Sequence, residues 1–237
     1  MIDFYAATTP NTLKIFFMLG ETGLPFRLHR VHLYQGEQFG AAFRMLHPHA
    51  KVPVIVDNNG PDGAPHTVFE SGAILLYLAA KCGQLAGSTP DERSTIMQWL
   101  MLQMSTVGPM FGQATHFNKA APQGNDYGRR RFVSEAIRLC DTFDRRLLIA
   151  RFLGGDDFSI ADIAAFPWFW KHPGMLGIDT EPYAGMRRWI AEIEGRPGLL
   201  AHYEQYRELV RLDRIDRENA STDSMDRFLG RGRYFRV

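Results

Sequence analysis

The sequence predicts an α/β N-terminal domain of βαβ-ββα order followed by an all-α C-terminal domain. Three observations carry that expectation. Over the first eighty residues, short β-branched and aromatic runs alternate with helical periods. A tract of glycine, serine, threonine and proline then interrupts the chain at residues 83–90, and beyond it every periodic segment is helical. The boundaries that follow are 1–83 for the first domain, 91–212 for the helical domain and 213–237 for a C-terminal extension.

Residues 2–6, with Phe4 and Tyr5, read as the first strand and stop at Thr8-Thr9-Pro10. Residues 11–23 have helical spacing through Ile15, Phe16 and Leu19, and Gly23 stands where a C-terminal stop belongs. Leu28, Val31 and Leu33 suggest a second strand, and 37–46 a second helix. Val52-Pro53-Val54-Ile55-Val56 is a β-branched run that reads as a strand, 57–65 is a turn rich in Asn, Gly, Asp and Pro, and 66–69 is the return strand. Residues 71–81 form a helix with Ile74, Leu75, Leu78 and Ala79 as its apolar stripe. Pro90-Asp91-Glu92 starts the helical part with proline and acids in the first turn. Further helices are expected near 126–150, 159–171, 183–195 and 197–212.

Composition removes several function classes. A length of 237 residues accommodates two domains, and 45% hydrophobic against 22% charged residues is ordinary for a packed core. The formal net charge of +1 offers no field for nucleic acid or a membrane surface. Two distant cysteines, Cys82 and Cys140, exclude a disulfide scaffold and fit a reduced, cytoplasmic setting. No basic-plus-apolar leader and no apolar run of about 18 residues is present, so neither secretion nor spanning is expected. The eight histidines form no HxxxH pair; His47 and His49 flank Pro48 without a third ligand, so no metal is expected.

Three motifs carry chemistry or structure. In Lys51-Val52-Pro53 a proline opens a strand, which suits an edge or a bend. A cis Val52–Pro53 bond would expose the main-chain N–H and C=O of Val52 to a peptide-like ligand, and an ordinary trans proline is the plain reading of the motif alone. Glu70-Ser71 stands where a strand meets a helix. Ser71 is an N-cap by type, the free N–H groups attract a carboxylate, and Glu70 just outside can accept from an ammonium. Together they suit the zwitterionic end of an amino-acid-like ligand, although a plain cap beside a solvated acid is the simpler account of either residue alone. Ser159-Ile160-Ala161-Asp162 is a capping box with a shorter acid than usual, a folding device worth roughly 1 kcal/mol.

The order of elements, the Val-Pro before the third strand, the Glu-Ser helix start and Ser-Ile-Ala-Asp in the helical part together resemble the glutathione transferases over residues 1–210. Their first domain is thioredoxin-like. Thr9-Pro10-Asn11, Gln38-Phe39, Lys51-Val52-Pro53, the run Phe69 to Leu78 and Gly108-Pro109-Met110-Phe111-Gly112-Gln113 are similar to the Nu class, the bacterial glutathione disulfide-bond oxidoreductases. The resemblance implies glutathione, reduced or oxidised, as co-substrate, and a homodimer. It implies that Val52, before Pro53, pairs main chain to main chain with the cysteinyl part. Glu70 and Ser71 would hold the γ-glutamyl end, and Gln38 and Lys51 would reach the glycine end. Asn118 and Arg131 would approach a second glutathione, with Arg129 to Arg131 open in register.

No cysteine follows the first strand. Thr9 and Asn11 are therefore the expected catalytic pair, donating to a ligand thiolate at the start of a helix, where donors and dipole lower a thiol pKa. Tyr5 is better read as core. The leading activity is glutathione-dependent reduction of a small disulfide, with two glutathiones or one oxidised dimer in the site. The alternatives are conjugation of glutathione to electrophiles, and a non-catalytic binding protein on the same fold.

Overall fold

The computed structural model describes residues 1–235. Helices and one small sheet divide into two compact units, Met1–Tyr77 with the chain from Pro197 onward, and Leu78–Arg196.

The first unit is built on a four-stranded mixed sheet in the order β2-β1-β3-β4: β1 (Ile2–Ala6), β2 (Phe26–Arg30), β3 (Val54–Asp57) and β4 (His66–Phe69). β1 runs parallel to β2, with Ile2 opposite Phe26, and antiparallel to β3, with Ile2 opposite Asp57. Helix α1 (Pro10–Thr22) is capped by Thr9, starts on Pro10 and ends at Gly23, whose φ of 65° is the left-handed conformation a side chain resists. It is buried on all sides from Thr12 to Leu19, with Ile15, Phe16, Phe17, Met18 and Leu19 in the core. Phe16 meets Phe4 edge-on at 5.0 Å.

Two segments differ from the sequence expectation. β2 stops at Arg30, and Leu33–Gln35 is a 3₁₀ turn, because Gly36 adopts φ 81° directly after it. The helix expected over 37–46 is a 3₁₀ turn at Glu37–Phe39, a break at Gly40 with extended backbone, and helix α2 (Ala41–Leu46). Helix α3 (Ser71–Cys82) follows the hairpin.

In the second unit, α4 (Pro90–Leu102) starts with a capping box between Thr89 and Glu92. A π-helical turn, Gln103–Val107, joins it to α5 (Gly108–Lys119). Pro109 has no N–H to give back along the helix, and the wider turn absorbs its ring. Then come α6 (Asp126–Ile149), α7 (Ile160–Trp170), the short α8 (His172–Met175) and α9 (Ala184–Glu194). Phe143, Phe169, Phe111 and Trp189 form its aromatic core, with Phe143 and Phe169 centroids 4.4 Å apart. The capping box at α7 is present: Asp162 accepts from Ser159 N at 3.0 Å, and Ser159 Oγ accepts from Ala161 N at 3.3 Å. Phe166 is buried core; Trp170 stacks on it and donates to Glu194 at 2.6 Å.

The chain then returns to the first unit as α10 (Pro197–Ala201), α11 (Tyr203–Glu218) and α12 (Thr222–Leu229). Gly20 of α1 and Gly198 of α10 allow a close approach of the two helices, since a Cβ at Gly20 would lie 2.0 Å from Gly198 O. Over 213–229 the chain is thus helical for most of its length and folded back, where sequence left disorder open. Phe228 of α12 packs beside Tyr34, centroids 4.9 Å apart, and against the cluster of Ala7, Val31, Leu33, Phe43 and Val54. No helix among the described residues is long and apolar enough to cross a membrane.

Candidate functional site

The loop between β1 and α1, Ala7 to Thr9, opens α1 at the C-terminal end of the inner strand β1. Thr9 caps the helix: its Oγ1 accepts from Thr12 N at 3.0 Å and donates to Thr12 Oγ1 at 3.0 Å. Asn11 follows in the first turn, half-buried. A helix N-terminus lined by these side chains favours a negative sulfur. Tyr5 lies within β1, stacked on His29 at 4.7 Å and edge-on to Phe43, and is a packing residue.

At the same end of the sheet, where Tyr5 lies opposite Val54 and Val54 opposite Phe69, lie Lys51, Val52, Pro53, Glu70 and Ser71. The Val52–Pro53 peptide is cis. Pro53 is buried, Val52 half-buried and Lys51 exposed, and Val52 lies outside the ladder of β3, whose first registered residue is Val54. Ser71 is the first residue of α3 rather than its cap. The flanking position belongs to Glu70, whose carbonyl takes the Ile74 N–H at 2.9 Å and whose φ of 69° is left-handed. A non-glycine residue held there costs about 1 kcal/mol or more, a strain that clusters at ligand sites. The Glu70 carboxylate is exposed, while Ser71 is 3% exposed.

Two buried bases that sequence reasoning missed stand behind this helix start. Lys14 of α1 is fully buried and donates from Nζ to Ser71 Oγ at 3.2 Å. Burial pulls its pKa down to about 7, with Glu70 opposing the shift. His47 is also buried, its Nε2 3.9 Å from Glu70 Oε1, and burial lowers its pKa. Its Nδ1 accepts from His49 N at 3.1 Å, so the neutral ring carries its proton on Nε2, toward Glu70. The Glu70–Ser71 pair therefore presents an outward carboxylate and an inward hydroxyl backed by an ammonium. That suits a ligand with both an ammonium and a carboxylate.

Gln38 is 3% exposed and donates from Nε2 to Leu33 O at 3.2 Å, while its Oε1 has no hydrogen-bond partner among the described residues. Asn118 and Arg131 belong to the second unit and are exposed on α5 and α6. Arg129 is paired with Asp126 at 3.1 Å, whereas Arg130 and Arg131 line a shallow concavity with Tyr127 and Ser134. Cys140 is buried and its thiol is pushed up to about 12, mainly by desolvation; Cys82 lies at the far end of α3 from Ser71. Among the described residues no three His, Cys, Asp or Glu side chains could hold a metal ion.

Comparison with known proteins bears directly on this geometry. Residues 8–81 match the family "Glutathione S-transferase, N-terminal domain", and residues 134–197 match "Glutathione S-transferase, C-terminal domain". The chain is 44% identical over 200 residues to the disulfide-bond oxidoreductase YfcG of Escherichia coli, covering 83% of this chain and 92% of that protein. It is 32% identical over 210 residues to the disulfide-bond oxidoreductase YghU of the same organism, covering 84% and 72%. Among solved structures, a glutathione transferase of Burkholderia graminis with two glutathione molecules bound per subunit superposes with a TM-score of 0.81 at 39% identity, covering 84% of this chain and 86% of that one. One from Pseudomonas putida with a glutathione disulfide bound per subunit gives 0.81 at 37%, covering 84% and 89%.

Proposed function

The chain belongs to the glutathione S-transferase family, and from that premise we propose that it reduces small disulfides with glutathione, using ligand thiolates and no protein cysteine. The observation that carries this reading is the loop before α1. Residues 5–11 offer Thr9 and Asn11 and no thiol, and Cys140 is too deeply buried to ionise at neutral pH. The relatives bound to two glutathiones or to the oxidised dimer support a site that supplies both sulfurs from the ligand.

The chemistry then balances in two exchanges. A first glutathione thiolate attacks one sulfur of the substrate disulfide, forming a mixed disulfide and releasing one substrate thiolate. A second glutathione thiolate attacks the glutathione sulfur of the mixed disulfide, giving oxidised glutathione and the second substrate thiolate. Each leaving thiolate takes a proton from solvent. Thr9 and Asn11 stabilise the first thiolate. Glu70 and Ser71, backed by Lys14, hold the γ-glutamyl end; Val52 beside Pro53 pairs with the cysteinyl main chain. Gln38 and Lys51 serve the glycine end, and Asn118 and Arg131 the second glutathione. A homodimer of the Nu class, acting in the cytoplasm, completes the proposal.

The test is turnover of 2-hydroxyethyl disulfide with glutathione, glutathione reductase and NADPH, run beside conjugation of an aryl halide. Strong disulfide turnover with feeble conjugation is expected. The reverse pattern makes the protein a conjugating transferase, and silence in both makes it a binding protein. Thr9→Ala is expected to lower disulfide turnover about tenfold or more, with Thr9→Ser retaining most of it. Unchanged turnover in Thr9→Ala removes Thr9 from the sulfur.

A further inference from the structure

Helix α11 carries an acid where its buried stripe calls for an apolar residue. Tyr206, Leu209, Asp213 and Asp216 follow one another at helical spacing, and Tyr206 packs on Phe16 of α1 at 5.7 Å. Asp213 is only 7% exposed, and both its oxygens are engaged. Oδ2 accepts the main-chain N–H of Thr8 at 2.5 Å, and Oδ1 accepts from Arg30 Nε at 2.9 Å. Arg30, at the end of β2, is fixed in turn by Asp216 at 2.7 Å, which also takes His32 Nδ1 at 2.8 Å.

We propose that Asp213 is a positioning residue for the thiolate site: from the C-terminal part of the chain it holds the Thr8 N–H and so sets Thr9 and Asn11 against the ligand sulfur. This rests on the reading that Thr9 and Asn11 face that sulfur. Thr8 is the residue next to Thr9 in a three-residue connection, so a shift of its amide moves the cap directly. The connection is gripped from both sides, since Val31 N donates to Ala6 O at 2.8 Å just before it. A carboxylate suits the place because two donors converge on it and neither can accept. Arg30 balances its charge, so the hold on the loop does not set a bare anion beside a thiolate.

The sign of one measurement separates positioning from electrostatics. In Asp213→Asn, one of the two converging donors meets an NH₂ group, and the grip on Thr8 is lost or turned. Removing a negative charge near the site would by itself lower the pKa of bound glutathione's thiol, whereas a misplaced Thr9 raises it. The experiment is a pH titration of the ultraviolet thiolate absorbance of bound glutathione, with affinity for S-methylglutathione measured in parallel. In Asp213→Asn the thiol pKa is expected to rise by about one unit, leaving about tenfold less thiolate at neutral pH, with S-methylglutathione affinity changed less than about twofold. Asp213→Glu keeps the charge and shifts it by one methylene; it is expected to raise the pKa as well, and it serves if the Asn variant fails to fold. Asp216→Asn, which touches Arg30 but not the loop, is expected to leave the titration in place. A lowered or unchanged thiol pKa in both Asp213 variants, or an equal loss of S-methylglutathione affinity, overturns the proposal. Thr9→Ala, titrated alongside, identifies the cause. If it moves the thiol pKa while the Asp213 variants do not, the positioning role is wrong; if it too is silent, the assignment of Thr9 to the sulfur is wrong and takes the proposal with it.

Discussion

Helices α3 and α7 each start with a serine near an acid, and the two starts are built in opposite ways. At α7, Ser159 and Asp162 satisfy each other and their surroundings. Asp162 is fully buried and accepts from Ser159 N and Oγ, both at 3.0 Å, from Leu153 N at 2.9 Å and from Trp189 Nε1 at 2.9 Å. The N-terminus is closed by local groups in relaxed geometry, with Ser159 extended at φ −145°. At α3 the flanking Glu70 is left-handed at φ 69° and exposed, and the buried partner of Ser71 is an ammonium from α1. The first start spends its polar groups on the fold. The second leaves the Glu70 carboxylate to solvent and sets a buried lysine behind Ser71, at some cost in strain and desolvation.

The largest expected effect tests the closed start. Asp162→Ala leaves four buried donors without their acceptor and is expected to lower stability by about 3 kcal/mol or more. All four tryptophans, Trp99, Trp168, Trp170 and Trp189, lie within residues 78–196, so chemical denaturation followed by tryptophan fluorescence reads the affected unit. A loss below about 1 kcal/mol would make Asp162 no more structural than Lys14.

Lys14→Met should show the opposite pattern. Replacing a buried ammonium by an apolar chain of similar length is expected to leave stability within about 1 kcal/mol of wild type or to raise it. Affinity for S-methylglutathione is expected to fall about tenfold or more, as binding loses a charge-assisted contact. Isothermal titration beside circular-dichroism denaturation checks both. A variant that binds normally but unfolds easily would place Lys14 with Asp162.

The pH dependences of the two groups also run in opposite senses. Burial raises the Asp162 pKa from 3.8 to about 6, so the folded state holds the extra proton there, and stability from this group falls as pH rises across that window. Burial lowers the Lys14 pKa from 10.5 to about 7; here the unfolded chain holds the extra proton, and stability from this group rises with pH above about 7. Wild type is therefore expected to gain stability relative to Lys14→Met between pH 7 and 9, measured by urea denaturation at both ends, while its affinity for S-methylglutathione declines. A constant difference would mean that Lys14 keeps its proton throughout.

The closed start could be read from the sequence and the open one only in part, because local and distant partners leave different traces. Ser159 and Asp162 are three residues apart, and the spacing alone specifies the box. Glu70-Ser71 and Thr9-Asn11 were visible as residue types at helix starts. Lys14, however, reads by type as a solvated lysine, and its partner Ser71 is 57 positions away. Asp213 and Thr8 are separated by 205, and His47 looked like half of a loop pair. The sheet and most helices were legible from period and turn residues. The second strand and second helix were misjudged because Gly36 and Gly40 set backbone breaks that apolar spacing does not register.

The smallest expected effect concerns the backbone beneath this contrast. Glycine accepts a φ of 69° without the Cβ penalty, so Glu70→Gly is expected to be neutral or to stabilise the fold by up to about 1 kcal/mol. At Ser159, in extended backbone, the same replacement removes a cap side chain that accepts from Ala161 N and donates to Asp162. The cap change costs a few tenths of a kcal/mol, and the lost hydrogen bond to buried Asp162 brings the expected total to about 1 kcal/mol. Denaturation of the two variants side by side reads the sign. If Glu70 meets the ligand's ammonium as proposed, glutathione binding is expected to fail in the stabilised variant and survive in the destabilised one. If Glu70→Gly instead lowers stability, the left-handed residue is held by contacts that repay its strain within the fold, and α3 is closed by the protein in its own way.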